Sequence, residues 1–379
     1  MVRAAFLADC HCGNHKSFGG PLVAGVNSRC AETVDTFKRA LETAGKEGCE
    51  VVFVLGDLLD TSRPTPQVLT AVAKAIRSTT ARGGPEVWLL AGNHDLSSDA
   101  PGDHGLGPLQ FVDGVTVVSE PCVRWLNDYA AAVLCVPFAP QQTGESMLIE
   151  AGKLVAEAVS DFRRVDQGPL PPMLLAAHLG IIDELTPHFL RNSPGAITAT
   201  RLRQWCKANG VRVALAGDWH QRRQWKDLPE EPIAMQVGAL CPTGWDNPGQ
   251  QGYGTLALWT GSALDYLEIP GPRFFKVDSA AEAVKAAGKA RAAGCNPRIM
   301  VEADLADASA LALVGQAGIV AVTQAAGTAG KDAARAAADA ARSALTLDEA
   351  LAAYVSEMAL ESDEQREAVL RAATAYLEL

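Results

Sequence analysis

"VALAGDWHQRRQWK", Val213 to Lys226, is an apolar run that stops abruptly at an aspartate and a histidine two residues apart. On its own an Asp-x-His reads equally well as a polar turn closing a buried strand. The pattern recurs upstream: "AAFLA" runs into Asp9, "VVFVL" into Gly56-Asp57, "VWLLA" into Gly92-Asn93-His94-Asp95, and "MLLAA" into His178. Helical patterns at Ala31 to Ala44 and Gln67 to Ala81 separate these runs. Buried strands alternating with helices specify an α/β layered fold, and in such folds ligands collect at strand ends.

A chain of 379 residues exceeds what one compact core usually holds, so two or three units are expected. Hydrophobic residues make up 48% of it, and no apolar run approaches the roughly 18 residues that span a bilayer, so no membrane association is expected. The start "MVRAAFLADCHCG" carries one basic residue and a very short apolar run, unlike a cleaved leader, and the expected location is the cytoplasm. Nine scattered cysteines without a CxxC pair read as reduced, structural thiols. Cys10 and Cys12 flank His11, but a zinc site would recruit a second Cys or His pair at regular spacing. The net charge of −11 argues against nonspecific wrapping of nucleic acid and leaves room for a local basic groove.

The strand-end residues share a chemistry. On an extended segment Asp9 and His11 point to the same side, as do Asp218 and His220, so each pair could grip one metal ion. Asp57 follows a glycine that permits a sharp turn, and its two oxygens could bridge two cations. Asn93 adds a carbonyl oxygen and His178 an imidazole nitrogen. This oxygen and nitrogen set without thiolate suits Mn²⁺, Mg²⁺, Fe or Zn²⁺. Two cations about 3.5–4 Å apart would clamp the oxygens of a phosphate ester for in-line displacement. His94 is then placed to protonate the departing oxygen, with Asp95 orienting its ring. Each residue alone has a plainer reading, as a turn histidine, a helix cap or a satisfied core histidine. Their ordered recurrence at five strand ends outweighs it.

"DCH", "GDLLD", "GNHD", the lone His178 and "GDWH" resemble the D-x-H, G-D-x-x-D, G-N-H-D, H and G-H-x-H signature of the calcineurin-like metallophosphoesterases. The resemblance implies a two-sheet sandwich flanked by helices, with a dinuclear centre. It assigns Asp9, His11, Asp57 and His220 to one divalent ion, and Asp57, Asn93, His178 and residue 218 to the other. Asp60 would support the Asp57 loop. Asp218 departs from the signature, which has histidine there. Two dications against Asp9, Asp57 and Asp218 keep one formal positive charge where a histidine would leave two. The expectation is therefore two divalent ions, Mn²⁺ first and Mg²⁺ second, with a weaker second site. The rival reading makes Asp218 orient a ligand through water or an N–H.

Beyond His220, "MQVGALCPTGWDNPGQQGYGTLALW" and "LEIPGPRFFKVD" resemble segments of SbcD-like nuclease subunits of DNA double-strand-break repair, including phage-encoded relatives. In that likeness a Pro-Arg-Phe stretch leaves the phosphoesterase domain and enters a small α/β capping domain. It implies a nuclease domain at 1–272, a capping domain at 273–342 and C-terminal helices at 343–379. "PRFFKVD", "PRIMVEAD" and "IVAVTQ" read as strands, and Ala280 to Ala293 and Ala306 to Gly315 as helices. The last segment shows two amphipathic helices, opened by Thr346 with Glu349 and by Ser362 with Gln365 in capping-box spacing. They could fold back on the capping domain or dock on a partner's coiled coil.

DNA needs cations. Arg222, Arg223 and Lys226 follow the centre directly, with further clusters at Phe162 to Arg164 and at Arg201, Arg203 and Lys207. Trp219 and Trp225 could stack on frayed bases, although scattered arginines are usually solvated surface and tryptophans usually core. Taken together, the expectation is a manganese-type DNA nuclease working with an SMC-like, SbcC-like ATPase subunit and able to form a homodimer. The alternatives are a small-molecule phosphodiesterase or phosphatase, and a non-catalytic assembly subunit.

Overall fold

The computed structural model describes residues 2–16, 22–100, 102–127, 129–165, 168–186, 191, 193–226, 231–244, 254–303 and 319–324. The chain begins with β1 (Ala4–Leu7), a short ribbon of β2 (Leu22–Val23) and β3 (Val26–Asn27), then α1 (Ser28–Lys46) and β4 (Val51–Val54). Next come α2 (Pro66–Thr80), β5 (Glu86–Leu90), β6 (Val115–Val118), β7 (Cys122–Leu126), β8 (Ala131–Val136) and α3 (Gly144–Val165). They are followed by β9 (Met173–His178), β10 (Ile181–Ile182), β11 (Ile197–Thr198), α4 (Ala199–Ala208) and β12 (Val211–Gly217). The sandwich closes with β13 (Arg223–Trp225), β14 (Ile233–Gln236), β15 (Thr255–Trp259) and β16 (Leu264–Glu268). Last are β17 (Pro272–Val277), α5 (Ala280–Ala292), β18 (Asn296–Ala303) and β19 (Ile319–Gln324).

Two six-stranded sheets form the body, in the orders β16-β15-β1-β4-β5-β6 and β13-β14-β12-β9-β8-β7. The runs β1-β4-β5-β6 and β14-β12-β9-β8 are parallel, β15 joins β1 antiparallel, and the strands β1, β4, β8 and β9 are buried along their whole length. That is why they read as unbroken apolar runs rather than alternating ones. Phe6 stacks on Phe53 with ring centroids 5.2 Å apart, within an inter-sheet core that also holds Leu55, Leu174 and Leu215. A second core lies between the first sheet and the helices α1 and α2, and a third between the other sheet and α3 and α4. The result is a two-sheet sandwich flanked by helices. Asn27 caps α1 by accepting from the Cys30 N–H, and Thr65 caps α2 ahead of Pro66, so both helices start where local chemistry dictates.

The C-terminal ends of β1, β4 and β5 meet those of β9 and β12 at one end of the sandwich. Contacts between the sheets fix this meeting: Leu240 N–H donates to the Ala8 carbonyl at 2.9 Å, and the His178 ring reaches across to Leu55.

A separate three-stranded parallel sheet, β17-β18-β19, follows the sandwich, with α5 packed on it through Ala283, Ala287, Ile299 and Val301. It is anchored to α1: Arg298 pairs with Glu32 at 2.7 Å, and Arg29 and Arg298 both stand 5.5 Å from the Phe274 ring. The expected helix at Ala306 to Gly315 and the C-terminal helices at 343–379 lie outside the described residues. All nine cysteines are free, and among the described residues no helix is long and apolar enough to cross a membrane.

Candidate metal centre

Asp9 and His11 follow β1, Asp57 follows β4, and Asn93 follows β5 in the first sheet; His178 ends β9 and Asp218 follows β12 in the second. The structure brings all seven expected ligands, His220 included, to this one end. The backbone that does so is not extended. Asp9, His11, Asp57 and Asp218 have φ of +51°, +49°, +49° and +98°, a region L-residues rarely adopt, so each side chain is aimed by a sharp left-handed turn immediately after its strand. Gly56 must be glycine for two reasons: its φ is +88°, and a Cβ there would overlap the His178 ring.

Hydrogen bonds orient the donors. Asp218 N–H donates to both oxygens of Asp9, at 3.0 and 3.2 Å. His94 N–H donates to Asp57 Oδ1 at 2.9 Å. His178 Nδ1 lies 2.7 Å from the Leu55 carbonyl, which assigns the proton to Nδ1 and leaves Nε2 as the ligand atom. That Nε2 stands 2.8 Å from Asn93 Oδ1, 3.7 Å from Asp57 Oδ1 and 3.8 Å from Asp218 Oδ1. On the other side His11 Nε2 and His220 Nε2 face each other at 3.0 Å.

The donor chemistry fits divalent cations. Three donor groups converge with ligand atoms within 4.8 Å of one another: Asp9, His11 and His220; His11, Asp57 and His94; and Asp9, Asp57 and His178. Asp57 faces both halves, its Oδ2 3.9 Å from His11 Nε2 and its Oδ1 3.7 Å from His178 Nε2, as a bridging carboxylate would. Asp9, Asp57 and His178 are buried, and among the described residues Asp57 and Asp218 meet imidazoles rather than Lys or Arg. Buried carboxylates clustered in this way need positive charge to balance them.

The titration of these groups shows the same demand. Burial pushes the Asp9 carboxyl well above its ordinary value, and burial pushes Asp218 up to about 6. Burial alone would lower His178, but the carboxylates of Asp57, Asp218 and Asp9 and the Leu55 carbonyl overcome it and raise the ring to about 9. His11 is lowered by burial and by the neighbouring His220. Burial also holds the Cys10 and Cys12 thiols well above their usual range, and among the described residues neither joins a donor group.

His94 sits at the exposed face of the centre, its ring edge-on to His11 with centroids 4.7 Å apart. Its Nδ1 is held by the Asp60 carbonyl at 3.0 Å. Asp95, expected to orient that ring, has other partners: its carboxylate accepts from Leu59 N–H and Gly92 N–H, both at 3.0 Å. It therefore braces the Asp57 loop against the Asn93 loop. Burial raises its pKa to about 7, in spite of those two N–H donors.

Among the expected DNA cations, Arg223 is held by Asp183 at 2.6 Å and lies over the Trp225 ring at 5.3 Å. Arg222 is exposed and lies 5.1 Å from the Tyr266 ring, and Lys226 is exposed. Sequence reading missed His15, whose Nε2 meets the His11 carbonyl at 2.9 Å and whose Nδ1 stands 3.4 Å from Asp60. Its signal was the scarcity of histidine, since the chain has only seven. Phe138, edge-on to His178 with centroids 5.9 Å apart, carried no such signal.

Solved structures similar in shape include purple acid phosphatase PPD1 from yellow lupin seeds, at 16% identity and a TM-score of 0.44, covering 70% of this chain and 51% of that one. Another is a candidate 5′-nucleotidase from Staphylococcus aureus in complex with α-ketoglutarate, at 10% identity and a TM-score of 0.38, covering 71% and 53%. The chain thus spans about half the length of each. The sequence profile of the calcineurin-like phosphoesterases matches residues 2–222, from the strand that delivers Asp9 to just past His220, and the chain belongs to that family.

Proposed function

We propose that this phosphoesterase is a metal-dependent nuclease that hydrolyses DNA phosphodiester bonds, working with an SMC-like ATPase subunit. The observation that carries the reading is the open face of the centre. Asn93 and His94 are exposed while Asp9, His11, Asp57 and His178 lie buried behind them, so a polymer can pass across the site without being enclosed. Charge supports it too. With Asp218 as a ligand the centre keeps one formal positive charge, which matches a diester's single negative charge better than a monoester's two. The resemblance of the segment after His220 to SbcD-like subunits supports the repair role and the ATPase.

Asp9, His11, Asp57 and His220 would hold one divalent ion, and Asp57, Asn93, His178 and Asp218 the other. When bound, such ions supply Lewis acidity toward a phosphoryl oxygen and lower the pKa of water. The protein's own residues do the rest. Asp60 fixes His94 Nδ1–H, so Nε2 is the nitrogen that carries a proton to the leaving oxygen. His94 N–H holds Asp57 in its aim, and the Leu55 carbonyl holds His178.

The second reading, a small-molecule phosphodiesterase or phosphatase, is favoured by a cleft of about 470 Å³ beside the centre, whose lining includes Leu96, Phe138, Gln141 and Gln142. Incubating the Mn²⁺-loaded protein with labelled linear DNA, bis-p-nitrophenyl phosphate and p-nitrophenyl phosphate tests both. Cleavage of DNA and of the diester supports the nuclease. Hydrolysis of the small esters with intact DNA supports the second reading, and silence on all three leaves a non-catalytic assembly subunit.

A further inference from the structure

The edge strand β13 runs antiparallel to β14, pairing Arg223 with Gln236 and Trp225 with Ala234. Since β14 runs parallel to β12, β13 leads away from the metal centre toward the opposite end of the sandwich. Its side chains alternate. Arg223 and Trp225 both turn to Asp183, at 2.6 and 2.9 Å, which locks the strand in place. Arg222, Gln224 and Lys226 occupy the other face and are exposed.

Lys226 borders a cleft of about 410 Å³ at the N-terminal ends of β12 and β14, which Lys207, Arg212, Glu231, Trp259 and Ser262 also line. Lys207 comes from α4, Arg212 from β12 and Lys226 from the end of β13, so three separate elements bring cations to one cleft. The acid of the cleft, Glu231, is occupied by Arg203 at 3.1 Å. The Lys207, Arg212 and Lys226 side chains are exposed and make no ion pair or hydrogen bond among the described residues. Two other surface lysines hold carboxylates, Lys153 on Glu150 at 2.8 Å and Lys38 on Glu42 at 3.6 Å; what marks this cleft is the convergence of three cations from separate elements. Three cations converging on one cleft, within a chain of net charge −11, favour an anionic partner there.

We infer that this side of the sandwich, from Arg222 along β13 to Lys207, Arg212 and Lys226, binds the sugar-phosphate backbone of the DNA strand being cut; the inference rests on the nuclease reading above. The seven residues of β12 span the distance between the centre and the cleft. At about 3.3 Å per residue this is roughly 23 Å, or about seven steps of 3.4 Å along a strand. Contacts of this kind hold phosphates and read no bases, so binding is sequence-tolerant and salt-sensitive. Arg223, adjacent in sequence, is not part of the path because Asp183 neutralises it.

The test uses Mn²⁺-loaded protein and a fluorescent phosphorothioate strand of roughly 30 nucleotides, with affinity measured against salt concentration. The triple variant Lys207→Glu, Arg212→Glu, Lys226→Glu is compared with Lys38→Glu as a charge control, and thermal melting and metal content report folding. The expected result is a loss of tenfold or more in affinity, with the salt slope reduced by about 2, at roughly 0.7 per phosphate contact on a single strand. Lys38→Glu stays near wild type, and a strand of about four nucleotides binds wild type and triple variant alike, because it cannot reach the cleft. If the triple variant melts early, the neutral pair Lys207→Gln, Lys226→Gln replaces it, with a smaller loss in the same direction. Wild-type affinity and slope in a folded variant, while the wild type cleaves DNA, overturn the path alone. A wild type that hydrolyses the small diester but neither binds nor cleaves DNA overturns the nuclease reading and the path with it.

Discussion

The backbone N–H of Asp218 donates to both carboxylate oxygens of Asp9, 209 residues earlier, at 3.0 and 3.2 Å. The main chain at Asp218, at φ +98°, is therefore held by the first sheet rather than by its own side chain. Replacing that side chain should leave the turn in place and change only what faces the metals. Asp218→Ala should bind one divalent ion where the parent binds two, if the carboxylate ligates directly. A residue that merely orients a ligand would keep both ions and weaken them by about 10–100-fold. Asp218→His should move the preference from Mn²⁺ toward nitrogen-favouring Zn²⁺. Metal titration with elemental analysis decides, and an unchanged preference in Asp218→His counts against direct ligation.

His94 and Asp57 touch each other but have separable roles. The His94 ring is fixed from behind by the Asp60 carbonyl, while its backbone N–H aims Asp57. His94→Asn keeps that N–H, so metals should remain bound while the rate falls about 10²–10⁴-fold, the range of a positioned acid. Asp57→Ala should instead lose both ions, since its two oxygens face His11 on one side and His178 on the other. Loss of both metals in His94→Asn would refute this division of roles.

The strands and ligands were legible because each buried strand ends in its functional residue, so one apolar run announces both. The partners of those residues were not. Asp95 lies beside His94 in sequence, yet its carboxylate serves Leu59, 36 positions away, and Arg223 follows Arg222, yet is neutralised by Asp183, 40 positions away. Such pairings depend on how loops cross above the sheets, and strand periodicity carries no information about that. The aim of Asp9 and His11 was inferred from an extended backbone and is produced instead by left-handed turns; spacing constrains which residues converge better than it constrains how.

Asp95 offers a test of bracing as opposed to catalysis. Asp95→Asn leaves one acceptor oxygen and turns an NH₂ toward a backbone N–H that is already a donor. The buried clash and lost acceptor should cost about 1–3 kcal/mol of stability. Urea unfolding of the metal-free protein measures it. A variant of full stability with a shifted pH profile would mean that Asp95 acts on the reaction rather than on the loops.

Metal uptake should release a proton, and His178 identifies it. In the metal-free centre three carboxylates outweigh burial and hold the ring protonated up to about 9, whereas ligation needs Nε2 bare while Nδ1–H stays on the Leu55 carbonyl. Its folded pKa is raised above the unfolded value, so for the metal-free fold the ring's charge contributes stability below about pH 6.5 that is lost as pH rises through about 9. For metal binding the sign reverses: affinity rises by roughly tenfold per pH unit between about 7 and 9 and then levels off. Asp218, raised only to about 6, is already ionised in that window, and Asp9, which burial also raises, belongs to the other ion's donor set. Calorimetry at pH 7 in two buffers of different ionisation heat should therefore find about one proton released as the His178 site fills, and almost none above pH 9. His178→Gln should abolish that release along with the ion it holds. The same release from His178→Gln as from the parent would place the proton on another group and remove His178 from the ligand set.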